Sequence, residues 1–172
     1  MGVLRRKEER HMEKNMSRNK FDYYPTPEWC YEKLPVDWSQ FNSALEPGSG
    51  DGRIVNFLEN KGIETDWCEI QKDKDFFKHE GEYDLVITNP PFSLAQEFIE
   101  HSMTMAPTVI MLLRINFLGA QARYDFWQMY PPDGLVILSK RPSFTGKGTD
   151  SIDYAWFIWS DIKDLHGLKW IK

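Results

Sequence analysis

The chain has 172 residues, a net charge of −5 and two cysteines, Cys30 and Cys68. A chain of this length can form one domain with a buried core. It contains no apolar run near the roughly 18 residues that a membrane-spanning helix requires, and no CxxC or Cys/His cluster. The sequence therefore predicts neither membrane insertion nor a metal site, and its sparse cysteines favour a reducing, cytoplasmic compartment.

The first twenty residues differ from the rest of the chain in charge. They contain seven Lys/Arg against three Glu, a net charge of +4, whereas residues 21–172 carry −9. A polar, basic segment without turn residues is typical of a solvated extension or of an arm that binds phosphates, and both interpretations stay open. We predict a basic N-terminal arm over residues 1–20 and one domain over residues 21–172.

A Gly-rich turn follows the first predicted strand. Residues 44–52 read Ala-Leu-Glu-Pro-Gly-Ser-Gly-Asp-Gly, and a helical pattern begins near Asp51, a suitable N-cap, and ends before Gly62. The turn has neither the Gly-Lys-Ser/Thr of a P-loop nor the Gly-x-Gly-x-x-Gly spacing of dinucleotide-binding proteins. Its glycines would let a cofactor approach the backbone closely, although a plain strand-to-helix connection has the same pattern.

Acidic residues follow the second predicted strand, which ends near Glu69. A carboxylate in this position commonly accepts hydrogen bonds from ribose hydroxyls. Asp75 and Phe76 come next, an acid beside an aromatic residue that could bind and cover an adenine. Only five residues separate Glu69 from Asp75, whereas parallel strands normally need a dozen or more connecting residues. We therefore expect either that the third strand is missing or displaced, or that other residues form the adenine pocket.

A buried-strand pattern over residues 83–92 ends in Asn-Pro-Pro-Phe. The two prolines cannot continue a strand ladder because neither has an N–H group. The Asn89 side-chain oxygen and the Pro90 carbonyl together offer two acceptors for the hydrogens of a flat amino group, and Phe92 offers a face for stacking. Ordinary turns use the same residues, so the catalytic interpretation depends on the Gly-rich turn upstream.

The remaining sequence alternates between helix and strand patterns. Ser93-x-x-Gln96 is a capping-box pattern that predicts a helix start. The patterns predict a strand over 108–113, a helix over 120–130, and strands over 135–140 and 153–159. The connector over 143–151 is either a surface loop or a loop that grips the substrate. This order predicts an α/β fold with a mostly parallel, doubly wound sheet and an antiparallel closing strand, with ligands at the carboxyl ends of the strands.

The turn over residues 46–52 followed by the Asn-Pro-Pro-Phe of residues 89–92 resembles the S-adenosylmethionine-dependent amino methyltransferases, specifically the small phage-type N-6 adenine DNA methyltransferases. Residues 23–27, Tyr-Tyr-Pro-Thr-Pro, look like the Tyr-x-Thr-Pro element of that family, which precedes its first strand. Residues 141–144 and 153–159 resemble its last sheet hairpin. The similarity spans nearly the whole chain.

This resemblance implies a Rossmann-like methyltransferase fold, S-adenosylmethionine as the cofactor and adenine in DNA, flipped out of the helix, as the substrate. It also implies a bacterial or phage origin, a role such as restriction-modification, and the possibility of a homodimer. Adenine in RNA and glutamine in protein remain alternative substrates, because the same corner serves all of these amines. A noncatalytic binding module with the cofactor fold is an alternative of another class, although the intact Gly-rich turn and Asn-Pro-Pro-Phe corner argue against it.

The resemblance further implies a role for individual residues. The expected cofactor-binding residues are Tyr23, Thr26, Pro27, Glu46, Pro47, Gly48, Gly50, Glu69, Asp75, Phe76 and Asn89. The expected catalytic corner consists of Asn89, Pro90, Pro91 and Phe92. The residues expected to contact the substrate are Phe92, Arg141, Phe144 and Lys147.

Overall fold

The computed structural model describes residues 25–144 and 148–172. The predicted arm lies outside the described residues, as do Tyr23 and Lys147. A seven-stranded sheet has the strand order β2-β1-β3-β4-β6-β5-β7. Its strands are β1 (Ser43–Glu46), β2 (Glu64–Trp67), β3 (Leu85–Thr88), β4 (Thr108–Arg114), β5 (Gly134–Leu138), β6 (Tyr154–Trp159) and β7 (Gly167–Ile171).

The sheet is mostly parallel, with β6 antiparallel to the strands on either side of it. The run β2-β1-β3-β4 is parallel, β6 is antiparallel to both β4 and β5, and β7 is parallel to β5. Every residue of β3 and β6 is buried, as expected for apolar strands covered on both faces. The predicted antiparallel strand is therefore confirmed, and it lies inside the sheet.

Helices cover both faces of the sheet. They are α1 (Glu28–Glu32), α2 (Arg53–Asn60), α3 (Ala95–Ser102) and α4 (Tyr124–Met129). On one face, Ile54 and Leu58 of α2 pack in a cluster with Leu85 of β3. On the other face, Phe98 and Ile99 of α3 pack in a second cluster. The predicted doubly wound α/β fold is confirmed.

The connection between β2 and β3 departs from a regular crossover. Residues 68–84, all described, contain two 3-10 turns (Ile70–Lys72 and Phe76–Lys78) and neither a strand of the sheet nor an α-helix. Of the two alternatives expected from the short Glu69–Asp75 spacing, the structure shows the first: no third strand lies between β2 and β3, and β2 forms one edge of the sheet. The opposite edge is β7, which the sequence patterns did not predict.

Two predicted helix caps are wrong. Helix α2 starts after Gly52, whose φ is +82°, and the Asp51 side chain does not cap it. The buried Glu46 carboxylate instead accepts a hydrogen bond from the Val55 N–H, at 3.1 Å. Helix α3 starts at Ala95, after a 3-10 turn over Phe92–Leu94, so Ser93 is not its cap. No other described side chain caps this helix.

The predicted helix over 120–130 is shorter than expected. It consists of a 3-10 turn over Gln121–Arg123 followed by α4 over Tyr124–Met129. Within the described residues, no helix is long and apolar enough to cross a membrane.

Candidate active site

A cavity of about 300 Å³ lies at the carboxyl ends of β1, β2 and β3. This is where ligands bind in open α/β sheets. The cavity brings together ten of the residues predicted from sequence: Thr26, Glu46, Pro47, Gly48, Gly50, Glu69, Asp75, Phe76, Asn89 and Pro91. Its volume is at the lower end of the range of small-molecule sites.

The Gly-rich turn forms one wall of the cavity and packs directly against the end of β3. A Cβ atom on Gly48 would lie 3.2 Å from Thr88 Oγ1 and 3.9 Å from the Asn89 carbonyl oxygen. Gly50 has a φ of +49°, in the left-handed region that favours glycine. Glycine therefore allows both the close approach to the Asn-Pro-Pro-Phe corner and the path of the turn.

Glu46, the last residue of β1, is buried beside the cavity with a 3% exposed surface. Its carboxylate accepts a hydrogen bond from the Val55 N–H, one of the amide groups at the start of α2 that has no partner within the helix. Burial raises the pKa of Glu46 well above its ordinary value, although the Val55 hydrogen bond opposes the shift. The nearby Asp51 and Glu69 carboxylates raise this pKa further.

Glu69 joins the Gly-rich turn to the segment that follows β2. One carboxylate oxygen accepts the Gly50 N–H at 2.8 Å, and the other accepts the Gln71 N–H at 3.1 Å. The Lys72 ammonium donates to the Gly50 carbonyl at 3.1 Å. A carboxylate has about four acceptor positions, so Glu69 can hold this backbone and still accept hydrogen bonds from a ligand.

The predicted adenine pocket is built from the two 3-10 turns. Phe76 is 3% exposed, and its ring centroid lies 4.9 Å from that of Phe98 and 4.6 Å from that of His101, so it forms the back of the wall. Asp75 accepts the Phe77 N–H through its side chain. The exposed Phe77 also lines the cavity, as does Ile70, which is 66% exposed.

Thr26 holds the Asn89 side chain at the cavity wall. The Asn89 Nδ2 atom donates a hydrogen bond to Thr26 Oγ1 at 3.2 Å. Thr26 is 6% exposed, so this contact is shielded from water. The hydrogen bond holds the Asn89 side chain in place, and both residues line the cavity.

Phe92 lies outside the cavity lining, in a group of side chains at the end of β4. The guanidinium carbon of Arg114 is 4.1 Å from the centroid of the Phe92 ring. The Phe92 and Tyr154 ring centroids are 5.9 Å apart. The corner thus has two parts, with Asn89 facing the cavity and Phe92 packed beside it.

The other predicted residues are more dispersed. Pro27 is the residue before α1, and Pro90 is buried; neither lines the cavity. Arg141 donates from Nε to the Asp153 carboxylate at 2.7 Å on the surface. Phe144 is 7% exposed and lies edge-on to Tyr154, with 5.1 Å between their ring centroids. Little of the Phe144 ring is therefore accessible to a substrate base.

Several lining residues were not predicted from sequence. They are Pro25, Ser49, Asp51, Arg53, Ile54, Ile70, Gln71, Phe77, Ser93, Leu94 and Phe98. Most are next to a predicted residue, so adjacency was the available signal. Phe98 carried no such signal, because Phe98 and Ile99 together have the pattern of an ordinary buried helix face.

No known protein-family profile matches the chain, and no curated protein matches its sequence. Its fold has counterparts among solved structures. A proposed RNA methyltransferase from Pyrococcus horikoshii superimposes with a TM-score of 0.59 and 15% identity, over 84% of this chain and 95% of that one. A proposed class I S-adenosylmethionine-dependent methyltransferase from Listeria monocytogenes gives a TM-score of 0.51 and 13% identity, over 70% of this chain and 54% of that one. The chain shares its fold with these two proteins.

The cavity fits the cofactor that this fold implies. The Ser49 hydroxyl is buried on the cavity wall and has no hydrogen-bond partner among the described residues. A ligand that donates or accepts here would satisfy it. Glu69 offers carboxylate oxygens for ribose hydroxyls, and Ile70 and Phe77 offer apolar surface for an adenine ring. Among the described residues, no group of three or more His, Cys, Asp or Glu could hold a metal ion.

Proposed function

We propose that this chain transfers a methyl group from S-adenosylmethionine to the exocyclic amine of adenine in DNA. The observation that supports this most directly is the position of Asn89, which is held by Thr26 at the cavity wall and adjoins the Gly-rich turn through Gly48. One wall can therefore hold the methyl donor while the adjoining corner holds the acceptor. Such positioning is itself a large part of catalysis in a two-substrate reaction.

The Asn-Pro-Pro-Phe corner needs to supply only hydrogen-bond acceptors for the target amine. S-adenosylmethionine would supply an electrophilic methyl group, whose bond to the sulfonium breaks as the bond to the amine nitrogen forms, leaving a neutral thioether. Asn89 Oδ1 and the Pro90 carbonyl accept the two hydrogens of the target amine and so favour a tetrahedral nitrogen whose lone pair is available to attack. These acceptors gain strength as the nitrogen becomes positive in the transition state. A proton then leaves to water, so no general base is required.

Adenine in RNA is the second candidate substrate. The P. horikoshii protein, a proposed RNA methyltransferase, shares the fold over most of both chains. The corner itself does not distinguish the two polymers, because it recognises only the amine of the base. DNA remains the first candidate because Asn-Pro-Pro-Phe, together with the Gly-rich turn, resembles the adenine DNA methyltransferases.

The test is methyl transfer from radiolabelled S-adenosylmethionine to separate pools of unmethylated DNA, total RNA and total protein, with the product identified by mass spectrometry of the digested polymer. We expect N-6-methyladenine in DNA. Methylated adenine confined to RNA would replace the first candidate with the second. Label confined to protein, or none in any pool, would overturn both. Asn89→Ala serves as the inactive control.

A further inference from the structure

Phe92 is confined by a planar cation. The guanidinium carbon of Arg114, the last residue of β4, lies 4.1 Å from the Phe92 ring centroid. At this distance the cation lies over the ring, and such a contact is strongest where water is excluded. Arg114 is about one-third exposed, so the contact is partly shielded from water.

Arg114 is itself held by Tyr154 and Asp150. Arg114 and Tyr154 are directly opposite each other in the β4–β6 ladder, and Arg114 Nε donates to the Tyr154 hydroxyl at 3.1 Å. The Tyr154 hydroxyl donates in turn to Asp150 Oδ2 at 2.6 Å, and an Arg114 Nη2 atom lies 3.8 Å from the same oxygen. Burial raises the pKa of Tyr154, so its hydroxyl keeps the proton that it donates.

These contacts join three segments that the chain order separates. Phe92 belongs to the corner after β3, Arg114 ends β4, and Asp150 belongs to the connector that precedes β6. An aromatic side chain in a loop would otherwise lose rotamer freedom when a base stacked on it. Because the Phe92 ring is already confined, this rotamer freedom is lost in the free protein, and its loss does not weaken binding of the base.

We propose that Arg114 is a positioning residue that holds the Phe92 ring for the substrate base, and that Tyr154 and Asp150 hold Arg114. This inference rests on the proposed function, since it assigns Phe92 to base capture. It requires the flat shape of the guanidinium group as well as its charge. A lysine has the charge but not the planar face, and all of its donors are on one nitrogen, so it cannot reproduce both contacts.

A matched control exists in the same chain. The guanidinium carbon of Arg123 lies 4.1 Å from the centroid of the Phe117 ring, the same distance as in the Arg114–Phe92 pair. Arg123→Met therefore removes a contact of the same kind away from Phe92. Comparing Arg114→Met with Arg123→Met separates loss of a stacked cation from loss of ring positioning.

The experiment measures kcat and KM for the nucleic-acid pool that the wild type methylates, with thermal unfolding of each variant in parallel. We expect Arg114→Met and Arg114→Lys each to raise KM for nucleic acid about tenfold, within the range of a partly desolvated cation–π contact. Turnover at saturation and KM for S-adenosylmethionine should change little. Tyr154→Phe should raise KM by a smaller factor, and Arg123→Met should leave it unchanged.

Three results would count against the inference. If KM for nucleic acid were the same in Arg114→Met and Arg123→Met, Arg114 would have no positioning role. If Arg114→Lys kept the wild-type KM, charge alone would suffice, and contact with a phosphate would replace positioning. If the wild type labelled no nucleic acid at all, the proposed function would fail and this inference with it. An active wild type with unaffected variants overturns only the inference.

Discussion

Asn89 donates a hydrogen bond from Nδ2 to Thr26 Oγ1, a residue 63 positions earlier in the chain, at 3.2 Å. This contact holds the Asn89 side chain at the cavity wall. Thr26 precedes α1 whereas Asn89 follows β3, so the hydrogen bond joins two separate segments at the site. The Asn89 side chain is therefore held in place before any substrate arrives.

The first prediction concerns this pair. Asn89→Ala should retain the fold and most of its affinity for S-adenosylmethionine, yet lose on the order of a hundredfold to a thousandfold in turnover, as when a preorganised polar group is removed from a transition state. Thr26→Val keeps the side-chain shape and removes the hydroxyl, so we expect a smaller loss, about tenfold in turnover. Single-turnover kinetics with labelled cofactor measure both.

Thr108→Val is the control for this prediction. The Thr108 hydroxyl is buried and hydrogen-bonded to the Ser160 hydroxyl at 2.8 Å, at the end of β4 opposite to Arg114. Its loss should lower stability and leave turnover unchanged. Near-wild-type turnover in Asn89→Ala would remove the basis for an amine methyltransferase.

The second prediction concerns Glu46 and pH. Its folded pKa lies above the ordinary value of 4.5, so between these two values the folded protein binds more protons than the unfolded chain. The free energy of unfolding should therefore fall as pH rises from about 4.5 towards the folded pKa, and then level off. Glu46→Gln keeps an acceptor for the Val55 N–H and carries no charge, so the decline should be reduced in this variant. Urea unfolding at several pH values, without cofactor, measures the difference; equal pH slopes would show that Glu46 is not the source.

The third prediction concerns two buried serines. The hydroxyls of Ser49 and Ser102 both lack a hydrogen-bond partner among the described residues, but only Ser49 lines the cavity. Removing an unsatisfied buried hydroxyl should not lower the stability of the free protein in either Ser49→Ala or Ser102→Ala. Only Ser49→Ala should weaken S-adenosylmethionine binding, by about fivefold to tenfold for a single hydrogen bond. Calorimetric titration decides this, and equal affinities in the two variants would place the cofactor away from Ser49.

The fourth prediction concerns the basic arm. If residues 1–20 contact phosphates, their deletion should weaken nucleic-acid binding and flatten its dependence on salt. Affinity for S-adenosylmethionine should hardly change. Fluorescence anisotropy with a labelled DNA duplex over a range of salt concentrations measures the slope. An unchanged slope would leave the segment as a solvated extension.

The turns of the site could be predicted because glycine and proline have unusual backbone preferences. Glycines at positions 48, 50 and 52 permit conformations that other residues disfavour, and prolines at 90 and 91 cannot continue a strand, so their spacing predicted where strands end. The short spacing between Glu69 and Asp75 left too few residues for a crossover, so it predicted either a missing or displaced strand or a different adenine pocket, and the strand is missing.

The partners of these residues could not be predicted in the same way. The contacts Thr26–Asn89 and Arg114–Phe92 depend on strand order and register, which local patterns do not determine. Glu46 took the capping role expected of Asp51 because β1 carries its carboxylate to the start of α2. The last strand, Gly167–Ile171, was missed because its sequence alternates weakly and is mostly exposed.

The missing third strand also changes how one wall of the cavity is supported. In a regular crossover, this wall would be attached to a strand inside the sheet. Here it consists of two short 3-10 turns beyond the edge strand β2, held by the Glu69 side chain and the Lys72 ammonium on the Gly-rich turn and by Phe76 in the core. Segments outside a sheet open at lower free-energy cost than strands within it. We therefore expect hydrogen exchange over residues 68–84 to be faster than in β1, β3 and β4, and to slow when a ligand occupies the cavity.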